Sequence, residues 1–134
     1  MQEVYEYLKE CKVYYLGTFD GEQVRVRPFD TIDLFGGKLY IQTARKKDVA
    51  RQMHEFPRVE LCVFGEGKWL RVAATAVSED DPEVTRHMLE AYPQLAAMFR
   101  HPEEDIEVFC LTDAEATFSI YQKGGGVTKK VIRF

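Results

Sequence analysis

The sequence predicts a mainly β fold, an antiparallel β-barrel of six to seven strands with peripheral helices. Three observations indicate it. Apolar and aromatic residues recur at strand spacing in successive segments of the chain. Turn signals separate these segments, among them Asp20-Gly21, Gly36-Gly37 and the Gly-Glu-Gly turn at residues 65–67. Helical spacing is limited to a few short stretches, so a core built from strands is expected.

Length and composition predict one domain covering residues 1–134. Of the 134 residues 46% are apolar, which is enough for a core of ordinary size. The net charge of −4 argues against nucleic acid as a partner, because non-specific binding there requires a basic surface. No segment has a signal-peptide pattern or approaches the roughly 18 apolar residues of a membrane span. We therefore expect a cytoplasmic protein with no nucleic-acid or membrane partner.

The cysteines and histidines give no sign of a disulfide framework or a metal site. The three cysteines are odd in number and far apart, so free thiols are expected. His54, His87 and His101 have no ligand spacing with one another or with cysteine. Their polar helical surroundings predict solvated surface histidines.

The first two predicted elements are a helix and a strand. Residues 1–10 place Val4, Leu8 and Cys11 on one apolar stripe, which predicts an amphipathic helix lying over an opening of the sheet. In residues 13–19 both alternating sets are apolar or aromatic, so this strand is expected to be covered on both faces. The Asp-Gly pair that follows predicts a hairpin.

The run of residues 23–35 carries two arginines on one strand face. Val24 and Val26 share one parity, so they are assigned to the core, and Arg25 and Arg27 are assigned to the reverse face. A proline at position 28 lacks an N–H for the ladder and predicts a bend that curls the sheet. From the residues alone, an ordinary exposed strand face remains an alternative explanation of both arginines.

In the middle of the chain a predicted strand is followed directly by a predicted helix with a basic start. Residues 39–43 alternate as a strand, and apolar residues then recur at helical spacing until a proline ends the pattern. The helix is predicted to begin at Arg45, with Arg45, Lys46 and Lys47 in its first turn. Unpaired N–H groups, these cations and the Thr43 hydroxyl would converge on an anion such as phosphate. The alternative is a solvated basic turn.

A hairpin and two helices are predicted next. Residues 59–64 and 69–77 form the hairpin, in which Trp69 is either a packing anchor or a stacking platform. Asp81 followed by Pro82 predicts a helix start, and a second short helix lies at about residues 95–99. Both helices are interpreted as a lid over one end of the barrel, with a substrate-binding arm as the alternative.

The last part of the chain is predicted to be β structure. Residues 106–112 and 116–122 form either one long bent strand or a pair of strands. Three glycines at 124–126 predict a hinge, and residues 127–134 alternate apolar and basic side chains as a closing strand.

Four segments of the chain carry a resemblance to a known family. They are GTFDGEQVRVRPFDTI at 17–32, GGKLYIQT at 36–43, the basic turn with its helix, and FPRVELCVFGEGKWLRVAATAV at 56–77. In this order and spacing they resemble the pyridoxamine 5′-phosphate oxidase-like family, in its short branch of nitroimidazole-resistance-type and general-stress-type flavoproteins. The resemblance covers nearly the whole chain. It implies a split β-barrel of the FMN-binding type and a homodimer with FMN in a groove at the subunit interface.

The resemblance also implies which residues bind the cofactor. Lys47 falls at the family's phosphate-binding lysine, and the strand that carries Arg25 and Arg27 runs past the flavin ring. The cofactor-binding residues expected in this way are Arg25, Arg27, Pro28, Gln42, Thr43, Arg45, Lys46, Lys47 and Trp69. No catalytic side chain is assigned, because the flavin would supply the chemistry.

The function implied by the resemblance is that of an FMN-dependent oxidoreductase, which reduces a small acceptor with electrons from NAD(P)H. Two alternatives stay open: a non-catalytic flavin-binding protein for storage or sensing, and a split barrel that binds haem or another flat cofactor. The true vitamin B6 oxidases grip the substrate phosphate with an extended C-terminal segment, which this sequence lacks before Phe134. Pyridoxamine phosphate is therefore not expected as the substrate.

Overall fold

Eight antiparallel strands and five short helices make up the chain, and the computed structural model describes all of residues 1–134. In chain order the elements are α1 (Gln2–Cys11), β1 (Tyr14–Phe19), β2 (Val24–Phe29), β3 (Asp33–Phe35), β4 (Lys38–Ala44), α2 (Asp48–Glu55), β5 (Arg58–Gly65), β6 (Lys68–Ser78), α3 (Pro82–Ala91), α4 (Pro93–Met98), α5 (Pro102–Asp105), β7 (Ile106–Tyr121) and β8 (Val127–Arg133). The mainly β class is confirmed, with one strand more than the six or seven expected.

The strands form one antiparallel sheet that curls into a split barrel. Its order is β2-β1-β5-β6-β7-β4-β3, and β8 pairs with β7 beside this path. Strand β7 bends near Asp113, whose φ of 48° is left-handed, opposite a register shift between Ala73 and Thr75 of β6. The first half of β7 therefore pairs with β4 and the second half with β8. Residues 106–121 are thus one bent strand and not a pair.

Local turn and capping chemistry explains why the element boundaries fall where they do. The Asp20 carboxylate accepts hydrogen bonds from the N–H groups of Gln23 and Glu22, both at 2.8 Å, and from Arg25 Nε at 2.7 Å. These donors lower the pKa of Asp20 to about 2, Gln23 having the largest effect. At the start of α3 the Asp81 carboxylate accepts from the N–H of Glu83. The predicted first hairpin and the predicted start of α3 are both confirmed.

Two apolar clusters fill the structure on opposite faces of β4. Leu39 and Ile41 face the main core, which α1 and α2 cover. Tyr40 lies in a second cluster with Met88 of α3 and Leu95 of α4. Strand β4 is consequently buried on both faces, and the two helices predicted as a lid pack on the outward side of β4 and β7. None of the helices is long and apolar enough to cross a membrane.

The predicted start of α2 is wrong by three residues. The helix begins at Asp48, Lys47 is its N-cap, and Arg45 and Lys46 lie in the turn before it. An acidic residue at the first helical position complements the positive end of the helix dipole, whereas three cations in the first turn would oppose it. The helix ends at Glu55, before the proline, as predicted.

The predicted facing of β2 is reversed, and β1 is covered on one face only. The side chains of Val24 and Val26 are 66% and 64% exposed, and Tyr15 is 53% exposed. Arg27 instead lies opposite the buried Leu16 in the β1–β2 register. Its side chain points toward the interior, where it donates hydrogen bonds to Thr18 of β1 and Gln52 of α2. An outer apolar face thus remains uncovered in the single chain, formed by Tyr15, Phe19, Val24, Val26 and Phe64.

Candidate functional site

A cavity of about 320 Å³ lies between the strand ends and helix α4. It is lined by residues 28–31 at the end of β2 and in the loop that follows, by residues 42–44 at the end of β4, by Val13 and Lys47, and by Gln94, Leu95 and Met98 of α4 with Phe99 after it. Four of the nine residues predicted to bind a cofactor line it: Pro28, Gln42, Thr43 and Lys47. Its volume lies in the range of small-molecule sites, and its lining mixes apolar and polar groups in the way such sites do.

An unpaired buried amide oxygen marks one wall of the cavity. The Gln42 side chain is 9% exposed, and its Nε2 donates to Thr31 Oγ1 at 3.4 Å. Its Oε1 is the one buried side-chain polar atom in the structure that has no hydrogen-bond partner. Such an atom costs about 1–3 kcal/mol while it stays unpaired. Oε1 itself is closed off from the open space of the cavity, so a ligand N–H or O–H would remove this cost once the Gln42 side chain turns toward it.

The start of α2 gives the cavity a cationic end. Lys47 lines the cavity, and its ammonium group has neither an ion pair nor a side-chain hydrogen bond. No side chain caps the N-terminus of α2, and the buried Thr43 hydroxyl lies on the same wall. Free backbone N–H groups, the helix dipole and a lysine are the groups that bind a phosphate in proteins.

Four other residues predicted to bind the cofactor lie outside the cavity, namely Arg25, Arg45, Lys46 and Trp69. Arg45 donates from Nε to the Glu104 carbonyl at 3.0 Å and from Nη2 to the Ile106 carbonyl at 3.1 Å. It therefore ties the turn before α2 to the start of β7. Arg25 forms its ion pair with the hairpin aspartate, Lys46 is exposed without a partner, and Trp69 lies beneath Arg71 on the outer face. Cofactor binding by these four residues stays a prediction.

Arg27 lies behind the cavity wall, between β1, β2 and α2. Its Nη1 donates to the Thr18 hydroxyl at 2.7 Å and to the Leu16 carbonyl at 3.2 Å, and its Nη2 donates to Gln52 Oε1 at 3.0 Å. All three acceptors are neutral, and no carboxylate of the chain pairs with this guanidinium. Burial lowers the pKa of Arg27, and the nearby charge of Arg25 adds to the effect. The partly buried cation is thus not compensated within the chain.

Two tyrosines that the sequence gave no reason to select hold the loop after β2. The Tyr14 hydroxyl donates to the Thr31 carbonyl at 2.5 Å, and the Tyr92 hydroxyl is hydrogen-bonded to the backbone of Ile32. Burial raises the pKa of Tyr14 well above its usual value, with smaller contributions from Tyr92 and Asp30, so its hydroxyl remains a donor. Asp30 itself is exposed and lines the cavity.

His54 and His87 lie at the surface, with side chains 53% and 38% exposed, but each also pairs with a buried carboxylate that the sequence did not predict. His54 Nε2 lies 2.5 Å from Oε2 of Glu107, which also accepts from the Ser78 hydroxyl at 2.6 Å. His87 Nδ1 lies 2.6 Å from Oδ2 of Asp33. Both carboxylates are buried and take a polar partner from a neighbouring helix, a relationship that sequence spacing does not reveal. The structure contains no group of three or more His, Cys, Asp and Glu residues that could hold a metal ion.

Comparisons with known proteins agree on one family. A sequence model described as Pyridoxamine 5′-phosphate oxidase matches residues 1–118. The crystal structure of a NimC/NimA family protein from Clostridium acetobutylicum is 32% identical, with a TM-score of 0.91 over 100% of this chain and 92% of that chain. A comparison with curated proteins found no match.

Two further solved structures share the fold at lower sequence identity. General Stress Protein 26 from Bacillus anthracis str. Sterne is 14% identical, with a TM-score of 0.69 over 99% of this chain and 98% of that chain. A Clostridium acetobutylicum protein related to general stress protein 26, of the pyridoxinephosphate oxidase family, is 13% identical, with a TM-score of 0.69 over 99% and 93% of the two chains. The split-barrel fold is therefore shared well beyond the range of clear sequence similarity.

Proposed function

Because the chain belongs to the pyridoxamine 5′-phosphate oxidase family, we propose that it binds FMN and transfers electrons from NAD(P)H to a small acceptor. The observation that carries the proposal is the cavity, which is lined by the Gln42 side chain on one wall and by Lys47 at its cationic end. A flavin mononucleotide offers a ring N–H for the first group and a phosphate for the second.

The residues present fit this cofactor. Lys47, the Thr43 hydroxyl and the uncapped N-terminus of α2 would hold the phosphate. Pro28 and Leu95 supply apolar surface for a flat ring system, and Gln42 would accept a hydrogen bond from its pyrimidine part. If the Gln42 side chain turns toward the ligand, a bound ligand of this kind would satisfy the one buried side-chain atom that has no partner.

Bound FMN would supply hydride and electron transfer, so the protein needs no side-chain nucleophile. What the chain's own residues contribute is binding, orientation and charge. The uncompensated guanidinium of Arg27 places positive charge behind the wall that Pro28 and Phe29 form. A positive charge there would favour a cofactor that becomes more negative on reduction.

The proposal includes a homodimer with FMN at the subunit interface. The support for a dimer is the outer apolar face, whose side chains are left uncovered on β1, β2 and β5 of the single chain. Monomeric proteins rarely leave large contiguous apolar patches in water, and a second copy of the same face is the usual cover. In such a dimer the small-molecule electron donor and acceptor would reach the flavin through the part of the cavity that the cofactor leaves open.

Three measurements, made one after another, test the proposal. The absorbance spectrum of the purified protein should be that of a flavin, and FMN added to stripped protein should restore it. Anaerobic mixing of the FMN-loaded protein with NADH or NADPH should then bleach the flavin band. A haem spectrum, or no FMN binding at all, would contradict the cofactor assignment. FMN binding without bleaching by either nucleotide would leave a flavin-binding protein that does not use this donor.

A further inference from the structure

The cavity has only two charged side chains in its lining, one at each of two separate walls. Lys47 belongs to the start of α2 and Asp30 to the loop after β2, and every other lining residue is neutral. Neither charged side chain has an ion-pair partner within the chain. In the proposed function the phosphate of FMN neutralises the lysine. The exposed carboxylate of Asp30 is then the one charged side chain of the lining that has no partner.

The backbone that carries Asp30 is held in place on its C-terminal side. The Tyr14 hydroxyl donates to the carbonyl of Thr31, and the Tyr92 hydroxyl both accepts from and donates to the backbone of Ile32. Thr31 and Ile32 are buried, and both tyrosine side chains are buried as well. A carboxylate presented from such a fixed segment loses less freedom on binding a partner than one on a mobile loop.

Helix α4 and Phe99 supply apolar surface to the cavity. Gln94, Met98 and Phe99 belong to α4 and its end, and the Met98 side chain is 70% exposed in the single chain. Methionine adapts its shape to different flat ligands at low cost. A substrate in this space would place its apolar part against α4 and one polar group toward Asp30.

We propose that Asp30 selects the substrate: the small acceptor reduced by the flavin carries a cationic group on an apolar, flat body. The inference rests on the proposed function and adds the chemical class of substrate. A charge-assisted hydrogen bond to the carboxylate would favour a cation over a neutral analogue by about 10- to 100-fold. An anionic analogue of the same shape would be disfavoured further, because it would face a like charge.

The test measures binding to the FMN-loaded protein and needs no turnover. Benzylamine, benzyl alcohol and benzoate serve as cationic, neutral and anionic probes of similar size, and the change in the flavin absorbance band reports their occupancy. The wild type should bind benzylamine about 10- to 100-fold more tightly than benzyl alcohol, and benzoate most weakly. In Asp30→Asn the preference should disappear, and in Asp30→Lys benzoate should become the tightest probe.

Glu66→Gln is the matched control, since Glu66 is an exposed acid in the β5–β6 turn and its loss changes the net charge equally. It should keep the wild-type preference. The inference is overturned if the probes bind alike to the wild type, or if Asp30→Asn keeps the preference. It is also overturned if Asp30→Asn acts by weakening FMN or by dissociating a dimer, because the carboxylate would then face cofactor or subunit. These results leave FMN binding by the wild type intact, whereas a wild type that binds no FMN contradicts the proposed function itself.

Discussion

The hydroxyl of Tyr92 is hydrogen-bonded to both backbone groups of Ile32, accepting from its N–H at 3.0 Å and donating to its carbonyl at 2.9 Å. The two residues are 60 positions apart in the chain. Tyr92 stands at the junction of α3 and α4, and Ile32 stands in the loop after β2. One side chain therefore fixes the distance between two walls of the cavity.

Replacing this tyrosine should loosen both walls. Tyr92→Phe leaves the buried N–H and carbonyl of Ile32 without a partner, which costs about 1–3 kcal/mol in the free energy of unfolding. Urea unfolding followed by circular dichroism measures the change, and FMN should bind more weakly. Tyr121→Phe is the control, because that side chain is 53% exposed and its hydroxyl has no partner in the chain. Equal stability of the two variants would show that the Ile32 contacts do not matter.

The cationic end of the cavity predicts a difference between FMN and riboflavin. Lys47→Ala removes one charge-assisted hydrogen bond of about 1.5–3 kcal/mol, so FMN should bind about 10- to 100-fold more weakly. Riboflavin, which has no phosphate, should bind as before. Fluorescence titration of both ligands gives the two affinities. Lys46→Ala is the neighbouring control, since Lys46 does not line the cavity. A loss that is the same for both ligands would assign Lys47 a structural role.

Sequence reasoning reached most of the fold because its signals are local. An Asp-Gly pair makes its own turn, and Asp81 caps α3 with a neighbouring N–H, so residues a few positions apart decide these boundaries. The start of α2 was placed too early because Arg and Lys favour helices and the turn at residues 45–47 contains no glycine or proline to mark it. Alternation on β2 showed two faces but could not show which one is buried, since that depends on the partners supplied by Thr18 and Gln52.

The candidate site likewise contains residues that local sequence patterns predicted and residues that they did not. Gln42, Thr43 and Lys47 come from one continuous strand and helix start, and the structure places all three on the cavity. Asp30 was overlooked because its position on the cavity depends on Tyr14 and Tyr92, which hold the neighbouring backbone and are distant from one another in the sequence. The unpaired state of Gln42 Oε1 is likewise a property of three-dimensional packing, which no spacing in the sequence expresses.

A charge on the outer apolar face should dissociate the proposed dimer. Val26 is 64% exposed in the single chain, and Val26→Glu would bury an unpaired carboxylate in the interface. An uncompensated buried charge costs roughly 3–5 kcal/mol, so the dissociation constant should rise about 100-fold or more. Sedimentation at micromolar concentration should change from twice the chain mass to the chain mass. Ala91→Glu, on the exposed end of α3, should leave the dimer intact. A wild type that sediments as a monomer and still binds FMN tightly would refute the interface.

The two arginines of β2 differ in two respects that bear on the redox potential of a bound flavin. Arg25 is neutralised by Asp20 at 2.7 Å, whereas Arg27 donates only to neutral acceptors. Arg27 is also the more buried of the two, so its charge is screened less by water. Any effect of a positive charge on a bound flavin should therefore come mainly from Arg27.

Arg27→Met, which keeps the length of the side chain and removes its charge, should lower the midpoint potential of the bound flavin. The reduced cofactor carries more negative charge than the oxidised one, so a nearby cation stabilises it. For a two-electron couple about 30 mV corresponds to roughly 1.4 kcal/mol, and a partly screened contact should shift the potential by some tens of millivolts. Arg25→Met should shift it less, because Asp20 already compensates that charge. Anaerobic titration with a reference dye measures both potentials. If Arg27→Met lowers the thermal stability but leaves the potential unchanged, its guanidinium serves only to join β1 and β2 to α2.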